Sequence, residues 1–416
     1  MKQILNFGKN EIEINVPDKN VMAVLHANLP DTPLDEEKTV RDSLENPIGT
    51  EKLRDIVKPG EKVVIVTSDI TRPMPSYKVL PYVLEELEKA GAQKSDITIV
   101  LALGSHRGHT DEEKKKICGE AVAAEYQVLD SNGEMVHLGE TANGTPVDIF
   151  KPVTEADRVI CLGNIEYHYF AGYSGGAKAI MPGVSTREAI QKNHSRMVDP
   201  AATTGKIEGN PVRADIDSVL EFVHVDFIVN VVLDEHKQIR FCVAGHPIEA
   251  HRAGCKLLDT MYSLPIPSKP DIVIVSAGGF PKDMNLYQAQ KALDNAGQAV
   301  RDGGSIVWVA SAVEGLGEKH FEEWMLTHEN PLDMIQHIQR SFVLGGHKAA
   351  AIAMVMKRAD IYLCTDLKRD FTTRLHFHYV SDLQQTIDTL LEKYGEDAKV
   401  LIMPYGGSTL PVAEEK

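Results

Sequence analysis

Short apolar runs that alternate with amphipathic stretches are the feature that most constrains the fold of this chain. The runs are rich in valine and isoleucine and lack polar interruptions, as residues 63–66 (VVIV) illustrate. Continuous apolar strands are typical of a parallel sheet that helices cover on both faces, so we predict an α/β protein. The predicted strands are residues 63–66, 97–103, 159–162, 227–233, 272–275, 306–309, 361–364 and 400–403. The predicted helices are residues 76–89, 111–126, 186–193, 286–299, 332–357 with a break at Gly345-Gly346, and 383–393.

A proline-rich segment divides the chain into two parts. Residues 263–270 contain three prolines, which is typical of a linker or hinge, and the strand–helix pattern restarts after them. The 416 residues are enough for two or three domains of about 100–200 residues each. We predict an N-terminal α/β domain over residues 1–265 and a C-terminal α/β domain over residues 266–416, each with a mainly parallel sheet flanked by helices. The active site is expected in the cleft between them.

Charge and cysteine content exclude several classes of protein. With 44 Lys and Arg against 60 Asp and Glu, the formal net charge is −16, which argues against binding to nucleic acid. Charges appear too early in the first residues for a signal peptide, and no apolar run reaches the roughly 20 residues of a membrane helix. The five cysteines are scattered without a CxxC spacing, which is typical of thiols in a reducing compartment. We expect a cytoplasmic protein that binds neither nucleic acid nor a membrane.

Side chains with acid–base or anion-binding chemistry follow three of the predicted strands. Asp69 and Arg72 follow the first strand, His106 follows the second, and His168 follows the third. Open α/β sheets bind ligands beyond the carboxyl ends of their strands. Arg72, His106 and His168 are therefore predicted to face one crevice.

Each of these residues also has a purely structural interpretation. Arg72 could instead end a strand and pair with a carboxylate. His168 lies among aromatic residues and could instead belong to an aromatic cluster. His106 and His109 precede an acidic helix start, so one of them is expected to be only a loop or cap residue. His106, which is nearer to the strand end, is the stronger candidate for chemistry.

Residues 170–183 are rich in glycine and contain one lysine, Lys178. Backbone N–H groups at a glycine turn can bind phosphate, so Gly175 and Gly176 form a predicted phosphate cradle. The segment is not a Walker A loop, because Ala177 separates Gly176 from the lysine and no Ser or Thr follows it. Lys178 is interpreted as a desolvated nucleophile or a covalent anchor, and the alternative is a solvated lysine in a plain turn.

Two predicted helices carry further polar candidates. His194 closes the helix after the glycine-rich segment, where the helix dipole favours a cation, whereas ligation of a metal would require neutral imidazole. In the second domain Gln288 and Lys291 share a helical face with Tyr287 nearby. These three could orient a small anion or form an ordinary solvated first turn. The absence of HExxH, GxSxG and a strand-to-helix GxGxxG disfavours a metalloprotease, a serine hydrolase and an NAD-dependent dehydrogenase.

Six motifs, taken in order along the chain, resemble the nickel-dependent lactate racemase family of 2-hydroxy-acid racemases and epimerases. They are SDITRPMPS, LALGSHR, IEYHYFAGYSGGAKAIMPG, KNH, VNVVLDEHK and NLYQAQKA, and the resemblance covers essentially the whole chain. It implies an enzyme that inverts C2 of lactate or a related small 2-hydroxy acid by hydride transfer to and from a nickel-pincer nucleotide. This cofactor is a pyridinium mononucleotide whose thioamide and thiocarboxylate hold nickel. Cofactor-synthesis proteins are then expected as partners.

The resemblance also implies roles for the residues singled out above. His106 and His168 would be the acid–base pair, because the substrate hydroxyl lies on different sides in the two enantiomers. Lys178 would be the thioamide attachment site and His194 the protein ligand of nickel. The substrate-binding residues would be Arg72, Tyr287, Gln288 and Lys291, and the cofactor would be oriented by Asp69, Gly175 and Gly176.

One segment departs from the family. Lactate racemase has a tryptophan near the substrate in its C-terminal domain, whereas the comparable residues 344–349 contain none, and Trp308 and Trp324 lie elsewhere in the sequence. This leaves other 2-hydroxy acids and aldonates open as substrates. His347 and Lys348 are either specificity residues or simply a helix N-terminus. The alternative functions are a non-catalytic carrier of the nickel nucleotide and a zinc hydrolase that uses the same histidines, and the sequence does not predict the oligomeric state.

Overall fold

The computed structural model describes residues 1–30 and 33–414, and the chain forms two compact units. Leu29–Thr260 is the N-terminal unit, and Met1–Asn28 together with Met261–Lys416 is the C-terminal unit. The predicted N-terminal domain included the first 28 residues, whereas in the structure these residues belong to the C-terminal unit. The reason is that the strand Val21–Val24 pairs with Val400–Met403. Within residues 1–30 and 33–414, every helix is too short or too polar to cross a membrane.

The strands are numbered along the chain. Met1–Asn28 contains β1 (Lys2–Phe7), β2 (Asn10–Asn15) and β3 (Val21–Val24). The N-terminal unit contains β4 (Val63–Ser68), β5 (Ile97–Ala102), β6 (Gln127–Asp130), β7 (Met135–Glu140), β8 (Pro146–Phe150), β9 (Arg158–Asn164), β10 (Tyr167–His168), β11 (Gly172–Tyr173), β12 (Phe227–Leu233) and β13 (Ile239–Gly245). The remaining strands are β14 (Ser263–Ile266), β15 (Ile272–Ser276), β16 (Gly304–Val309), β17 (Ala359–Cys364), β18 (His378–Tyr379), β19 (Val400–Met403) and β20 (Leu410–Ala413).

The α-helices are numbered in the same way. The first nine are α1 (Glu36–Glu45), α2 (Leu53–Ile56), α3 (Ser76–Lys89), α4 (Asp111–Cys118), α5 (Glu120–Glu125), α6 (Lys151–Thr154), α7 (Arg187–His194), α8 (Pro211–Ser218) and α9 (Glu249–Tyr262). The others are α10 (Leu286–Ala299), α11 (Lys319–Thr327), α12 (Asp333–Arg340), α13 (Gly346–Met356), α14 (Arg369–Arg374) and α15 (Leu383–Tyr394). Short 3-10 helices cover Asp18–Asn20, Lys94–Asp96, Gly176–Ala179, Ser195–Val198 and Val219–Glu221.

The sheet of the N-terminal unit has the strand order β13-β12-β9-β4-β5-β6. All neighbouring strands are parallel except β12 and β13. β4 lies in the middle, with Val63 beside Ile97 of β5 and Arg158 of β9. Its apolar residues are buried, as a strand covered on both faces requires. Because β4, β5 and β9 run in one direction, the loops that follow them start at one edge of the sheet.

The sheet of the C-terminal unit has six parallel strands in the order β18-β17-β16-β15-β19-β3. The β1–β2 hairpin joins its core, since Leu5 and Ile14 lie in one buried cluster with Ile272 and Ile274 of β15. The N-terminal residues thus supply an edge strand and part of the core. Two units with predominantly parallel sheets and flanking helices confirm the predicted fold class.

Two local features differ from the sequence prediction. The predicted linker at residues 263–270 is in part a strand, because β14 pairs with β20, with Pro265 opposite Val412. Proline is tolerated in this short ladder, where each strand is paired along one side only. The predicted helix over residues 111–126 is two helices, because Gly119 between α4 and α5 has a φ of 89°, outside the helical range.

Replacing Leu5 with alanine is expected to destabilise the C-terminal unit by roughly 2–5 kcal/mol, because Leu5 is fully buried. Ile4 is 57% exposed, so Ile4→Ala is the matched control and should change the free energy of unfolding by less than about 0.5 kcal/mol. Chemical denaturation measures both changes, and hydrogen exchange locates them. Faster exchange in β4 and β5, with β15 and β19 unchanged, would contradict the assignment of the N-terminal residues to the C-terminal unit.

Candidate active site

His106 and Asp69, in the loops after β5 and β4, form a hydrogen-bonded pair. The ring nitrogen Nδ1 of His106 lies 2.5 Å from Asp69 Oδ2, and the Thr71 hydroxyl donates to Oδ1 at 2.7 Å. Burial opposes ionisation of Asp69, but the hydrogen bonds from His106 and Thr71 hold the pKa of this carboxyl below its ordinary value. A carboxylate only accepts hydrogen bonds, so the proton of His106 is on Nδ1 and Nε2 is the basic nitrogen.

His109, the other histidine of the loop after β5, faces the protein interior. Its Nδ1 lies 2.6 Å from Asp130 Oδ1, and its Nε2 accepts a hydrogen bond from the Ile70 N–H at 3.1 Å. The side chain of His109 is 1% exposed, against 31% for His106. Of the two histidines that the sequence left as alternatives, His106 is the accessible one and His109 is a buried loop residue.

Arg72 lies in the same turn as Asp69. Its backbone N–H donates to the Asp69 carbonyl at 3.2 Å, and its side chain is exposed. Across residues 1–30 and 33–414 its guanidinium has no ion-pair partner, so the alternative in which Arg72 pairs with a carboxylate of the chain is not what the structure contains. A guanidinium in this position can bind the carboxylate of a ligand in bidentate fashion.

The ring of Phe170 brings three of the predicted site residues together. The His168 ring meets it edge-on with centroids 4.5 Å apart, and the His194 ring meets it edge-on at 4.8 Å. Lys178 Nζ lies 5.9 Å from its centroid. His168 is therefore part of an aromatic cluster and also lies beside the predicted anchor and the predicted metal ligand.

His168 is held as a neutral imidazole. Its Nδ1 accepts a hydrogen bond from the Ala171 N–H at 3.3 Å, which places the proton on Nε2. Burial in the first place, and then nearby positive charges of which Lys178 is the strongest, hold the pKa of His168 well below its ordinary value. His106 and His168 are thus opposite tautomers, since Nε2 accepts in the first and donates in the second.

Lys178 lies in the 3-10 helix Gly176–Ala179 and has no ion-pair partner within the described residues. Part of its side chain reaches the surface, but the protein around the amine still desolvates it. This burial, followed by the charges of Arg213 and Arg72, holds the pKa of Lys178 well below its ordinary value. A lowered pKa increases the fraction of the amine that is uncharged and nucleophilic, which favours the anchor over the solvated lysine of a plain turn.

The tautomer of His194, the last residue of α7, follows from two residues behind it. Asp215 Oδ2 accepts a hydrogen bond from the Asn193 side-chain Nδ2 at 2.8 Å, so Asn193 directs its Oδ1 to His194. The His194 Nδ1 lies 2.9 Å from that oxygen and donates to it. The imidazole Nε2 is then the unprotonated nitrogen, which is the form that ligates a metal.

Three buried side chains hold the glycine-rich segment in place. Each satisfies a backbone group of the segment through a hydrogen bond. The contacts are Asn230 Oδ1 with the Gly176 N–H at 2.8 Å, His251 Nε2 with the Ser174 carbonyl at 2.8 Å, and the Arg213 guanidinium with the Ala171 carbonyl at 3.2 Å and the Tyr173 carbonyl.

The predicted phosphate cradle is not formed at Gly176, because its N–H donates to Asn230 instead of facing a ligand. Close packing accounts for the two glycines. A Cβ on Gly175 would lie 2.7 Å from Asn230 Oδ1, and a Cβ on Gly176 would lie 2.8 Å from the His251 ring. The two glycines would orient a cofactor by positioning Lys178. The backbone N–H of Lys178 donates to the Gly175 carbonyl at 3.3 Å.

The remaining predicted site residues belong to the C-terminal unit. Tyr287, Gln288 and Lys291 lie in the first turns of α10, where the Asn285 side chain caps the helix by accepting the Gln288 N–H at 2.9 Å. The three residues therefore start a capped helix that follows β15. Their part in a site with His106 and His168 stays a prediction.

Residues 344–349, where the sequence departs from the family, lead into α13. Lys348 donates to the Tyr287 carbonyl at 2.6 Å, and its Nζ lies 4.1 Å from the Tyr287 ring centroid. Burial lowers the pKa of His347 to about 3, so this histidine is a neutral packing residue. Trp324, although distant in sequence, packs against this segment, since a Cβ on Gly346 would lie 2.6 Å from its ring.

Sequence reasoning missed the side chains that hold the site together. Phe170 and Asn193 stand only inside quoted motifs, and Arg213 lies outside all of them. These residues have no reactive chemistry, so a search for catalytic groups passes over them. Asn230 did leave a signal, because it is the one polar residue in the apolar strand Phe227–Leu233.

Histidines with defined tautomers at the carboxyl edge of a parallel sheet are typical of α/β enzymes. Comparison with known families narrows this class. The model of the lactate racemase N-terminal domain matches residues 7–205, and that of the lactate racemase C-terminal domain matches residues 266–410. The chain belongs to the lactate racemase family and is therefore an isomerase.

Two known lactate racemases match the sequence of this chain over nearly its full length. The lactate racemase of Thermoanaerobacterium thermosaccharolyticum is 33% identical over 418 residues, and that of Lactiplantibacillus plantarum is 32% identical over 415 residues, each covering 97% of both chains. The structure of the T. thermosaccharolyticum lactate racemase apoprotein matches with a TM-score of 0.90 over 100% of both chains. A Thermotoga maritima protein shares the fold, with a TM-score of 0.61 at 18% identity over 91% of this chain and 98% of that one.

Lys178 is expected to keep its reactivity toward an acylating reagent as the pH falls from 9 to 7. The lowered pKa of Lys178 keeps a larger fraction of its amine uncharged over this range. In an ordinary lysine the uncharged fraction falls about tenfold for each pH unit below a pKa of about 10.4. Lys151 is the control, because its hydrogen bond to Glu134 raises its pKa. Mass spectrometry measures both rates, and a Lys178-to-Lys151 ratio that fails to rise at lower pH would contradict the desolvated amine.

Proposed function

We propose that the protein inverts C2 of lactate or a related small 2-hydroxy acid, as a racemase or epimerase. The observation that carries the proposal is the pair of imidazoles, His106 and His168, in opposite tautomers at one edge of the sheet. Removing the hydroxyl proton and the C2 hydrogen gives a planar 2-keto acid, to which the hydrogen can return on either face. This route avoids abstraction of the weakly acidic C2 proton.

His106 is the proposed general base for one enantiomer. Its Nε2 takes the hydroxyl proton while Nδ1 stays hydrogen-bonded to Asp69. The imidazolium that forms is stabilised by the Asp69 carboxylate, which also prevents the ring from taking the wrong tautomer. Asp69, which the family resemblance implied as a cofactor-orienting residue, acts in this proposal through His106.

His168 is the proposed partner on the opposite face. As a neutral imidazole it donates a hydrogen bond from Nε2. It must gain a proton on Nδ1, in place of the Ala171 N–H contact, before Nε2 can protonate the substrate oxygen. After burial, the charges that lower its pKa include those of Lys178 and Arg72. A covalent bond at Lys178 removes the charge that its protonated form carries, and a substrate carboxylate on Arg72 offsets another. Loading therefore raises the pKa of His168 toward the range in which it exchanges protons.

The residues present fit the nickel-pincer nucleotide that the family implies. The lowered pKa of the Lys178 amine suits covalent attachment, and His194, with its proton held on Nδ1, suits ligation through Nε2. Residues 1–30 and 33–414 contain no group of three His, Cys, Asp or Glu side chains placed to hold a metal, so the other donors would belong to the nucleotide. When bound, the nucleotide supplies the group that accepts the C2 hydrogen as hydride and returns it.

Substrate recognition is proposed for both units. In the N-terminal unit the exposed guanidinium of Arg72 binds the substrate carboxylate. In the C-terminal unit Tyr287, Gln288 and Lys291 are the proposed substrate-binding residues. Lys348 adds a second amine next to Tyr287, where the family has tryptophan, and this favours substrates with a polar or anionic group beyond C2.

The test is co-expression with the proteins that make the cofactor. We expect a mass increase on the Lys178 peptide, bound nickel, and racemisation of a 2-hydroxy acid followed by chiral chromatography. His106→Ala and His168→Ala should each lower kcat by roughly 10²–10⁴-fold, the usual contribution of a general acid or base. His137→Ala, at an exposed histidine that pairs with Asp148 at 2.7 Å, should leave it unchanged.

Two outcomes would contradict the proposal. One is a His106→Ala or His168→Ala variant with the kcat of the unaltered enzyme. The other is nickel-loaded protein, modified at Lys178, that racemises no 2-hydroxy acid or aldonate, which would identify a carrier. Modification at another lysine would reject Lys178 as the anchor.

Asp69→Asn is expected to lower kcat by roughly 10²-fold or more with little change in KM. The amide keeps the size of the side chain but can donate to Nδ1, so His106 is free to hold its proton on Nε2 and lose its basic nitrogen. Asp148→Asn, at the carboxylate of the exposed His137 pair, is the matched control. Steady-state kinetics on loaded enzyme checks both, and an Asp69→Asn effect confined to KM would show that Asp69 binds a ligand instead.

A further inference from the structure

We infer that His109 is a positioning residue for His106 and Arg72, acting through the peptide group that joins Asp69 to Ile70. The inference rests on the proposed roles of His106 and Arg72. His109 itself takes no part in the proposed chemistry, and the sequence left its role open.

The peptide group between Asp69 and Ile70 is fixed at both ends. Its N–H donates to His109 Nε2 at 3.1 Å, and its carbonyl accepts the Arg72 N–H at 3.2 Å. A planar peptide held by both its donor and its acceptor cannot rotate. The direction of the Asp69 side chain toward His106 is therefore set by this peptide plane.

His109 is in turn held by Asp130, the last residue of β6. The two carboxylate oxygens of Asp130 contact the His109 Nδ1 at 2.6 Å and accept the His109 backbone N–H at 3.0 Å. Lys114 Nζ lies 3.7 Å from the same carboxylate. Because β4, β5 and β6 are neighbours in the sheet, this contact ties together the ends of three adjacent strands.

Only one tautomer of His109 can make both contacts. Asp130 takes a hydrogen bond from Nδ1, which leaves a lone pair on Nε2 for the Ile70 N–H. A proton on Nε2 would set two donors against each other. The site is almost closed to water, with His109 1% and Asp130 10% exposed, so a lost contact would leave the Ile70 N–H without an acceptor.

A second histidine–aspartate pair in the same unit does not hold a backbone N–H group as the His109–Asp130 pair does. His137 and Asp148 are 2.7 Å apart on the β7–β8 hairpin, but His137 is 61% exposed. Its Nε2 receives no backbone N–H from the loops after β4 or β5. It therefore provides a control for the loss of a histidine–aspartate contact at an exposed position.

The experiment is ring and amide NMR on ¹⁵N-labelled protein without cofactor. In the unaltered protein we expect the Nδ1–H tautomer for both His106 and His109. In His109→Phe, which removes both contacts and keeps a ring, we expect a mixture of tautomers at His106 and amide exchange at Ile70 faster by roughly tenfold or more. His137→Phe should change neither signal, and His109→Gln, whose side-chain oxygen can accept the Ile70 N–H, should restore the His106 tautomer in part.

Asp130→Leu removes the other partner of the His109–Asp130 contact and should change the His106 and Ile70 signals in the same direction. It replaces His109→Phe in the experiment if that variant does not fold. An Nε2–H tautomer at His109 in the unaltered protein would overturn the inference. So would a folded His109→Phe with unchanged His106 and Ile70 signals. These signals need no turnover, so a failure to racemise 2-hydroxy acids would contradict the proposed function and leave the inference standing. In active enzyme, His109→Phe should lower kcat by roughly tenfold or more, as expected when a base is misplaced.

Discussion

The parallel pairing of β4 with β5 on one side and β9 on the other is the constraint on which the N-terminal unit depends. The register of these three strands forces their following loops to begin at one edge. The sequence places Asp69 in the first loop, His106 in the second and His168 after the third. Burial of uninterrupted valine and isoleucine side chains drives the pairing. The polar chemistry is therefore assembled by the apolar part of the sequence.

A cluster of buried polar side chains joins α7, α8 and the loop of the β7–β8 hairpin. Asp215 accepts from the hydroxyls of Thr141 and Thr145 and from the Asn193 amide, and Asn193 then orients His194. A buried polar group is costly unless it is satisfied, so such a network is rigid. The exposed guanidinium of Arg72, which has no ion-pair partner within the described residues, is suited to a ligand that carries a carboxylate.

The sequence predicts those parts of the structure that leave a local pattern. The bounds of α3, β12 and α10 agree with the predicted 76–89, 227–233 and 286–299, because periodicity records burial directly. No local pattern predicts that β3 lies beside β19, because the two strands are separated by more of the chain than any local pattern spans. In the site, a histidine after a strand is predictable, whereas the tautomers of His106 and His168 depend on contacts that exist only after folding.

The division of the C-terminal unit between the two ends of the chain also has a consequence for biosynthesis. A ribosome makes β3 long before β19, so the edge strand has no partner while everything between them is translated. The N-terminal unit is contiguous, and all its residues are available once residue 260 has emerged. The pairing of β3 with β19 has a very large sequence separation, which makes it intrinsically slow. The nascent chain therefore completes the N-terminal unit, which carries His106 and His168, before the C-terminal unit, which carries Tyr287, can close its sheet.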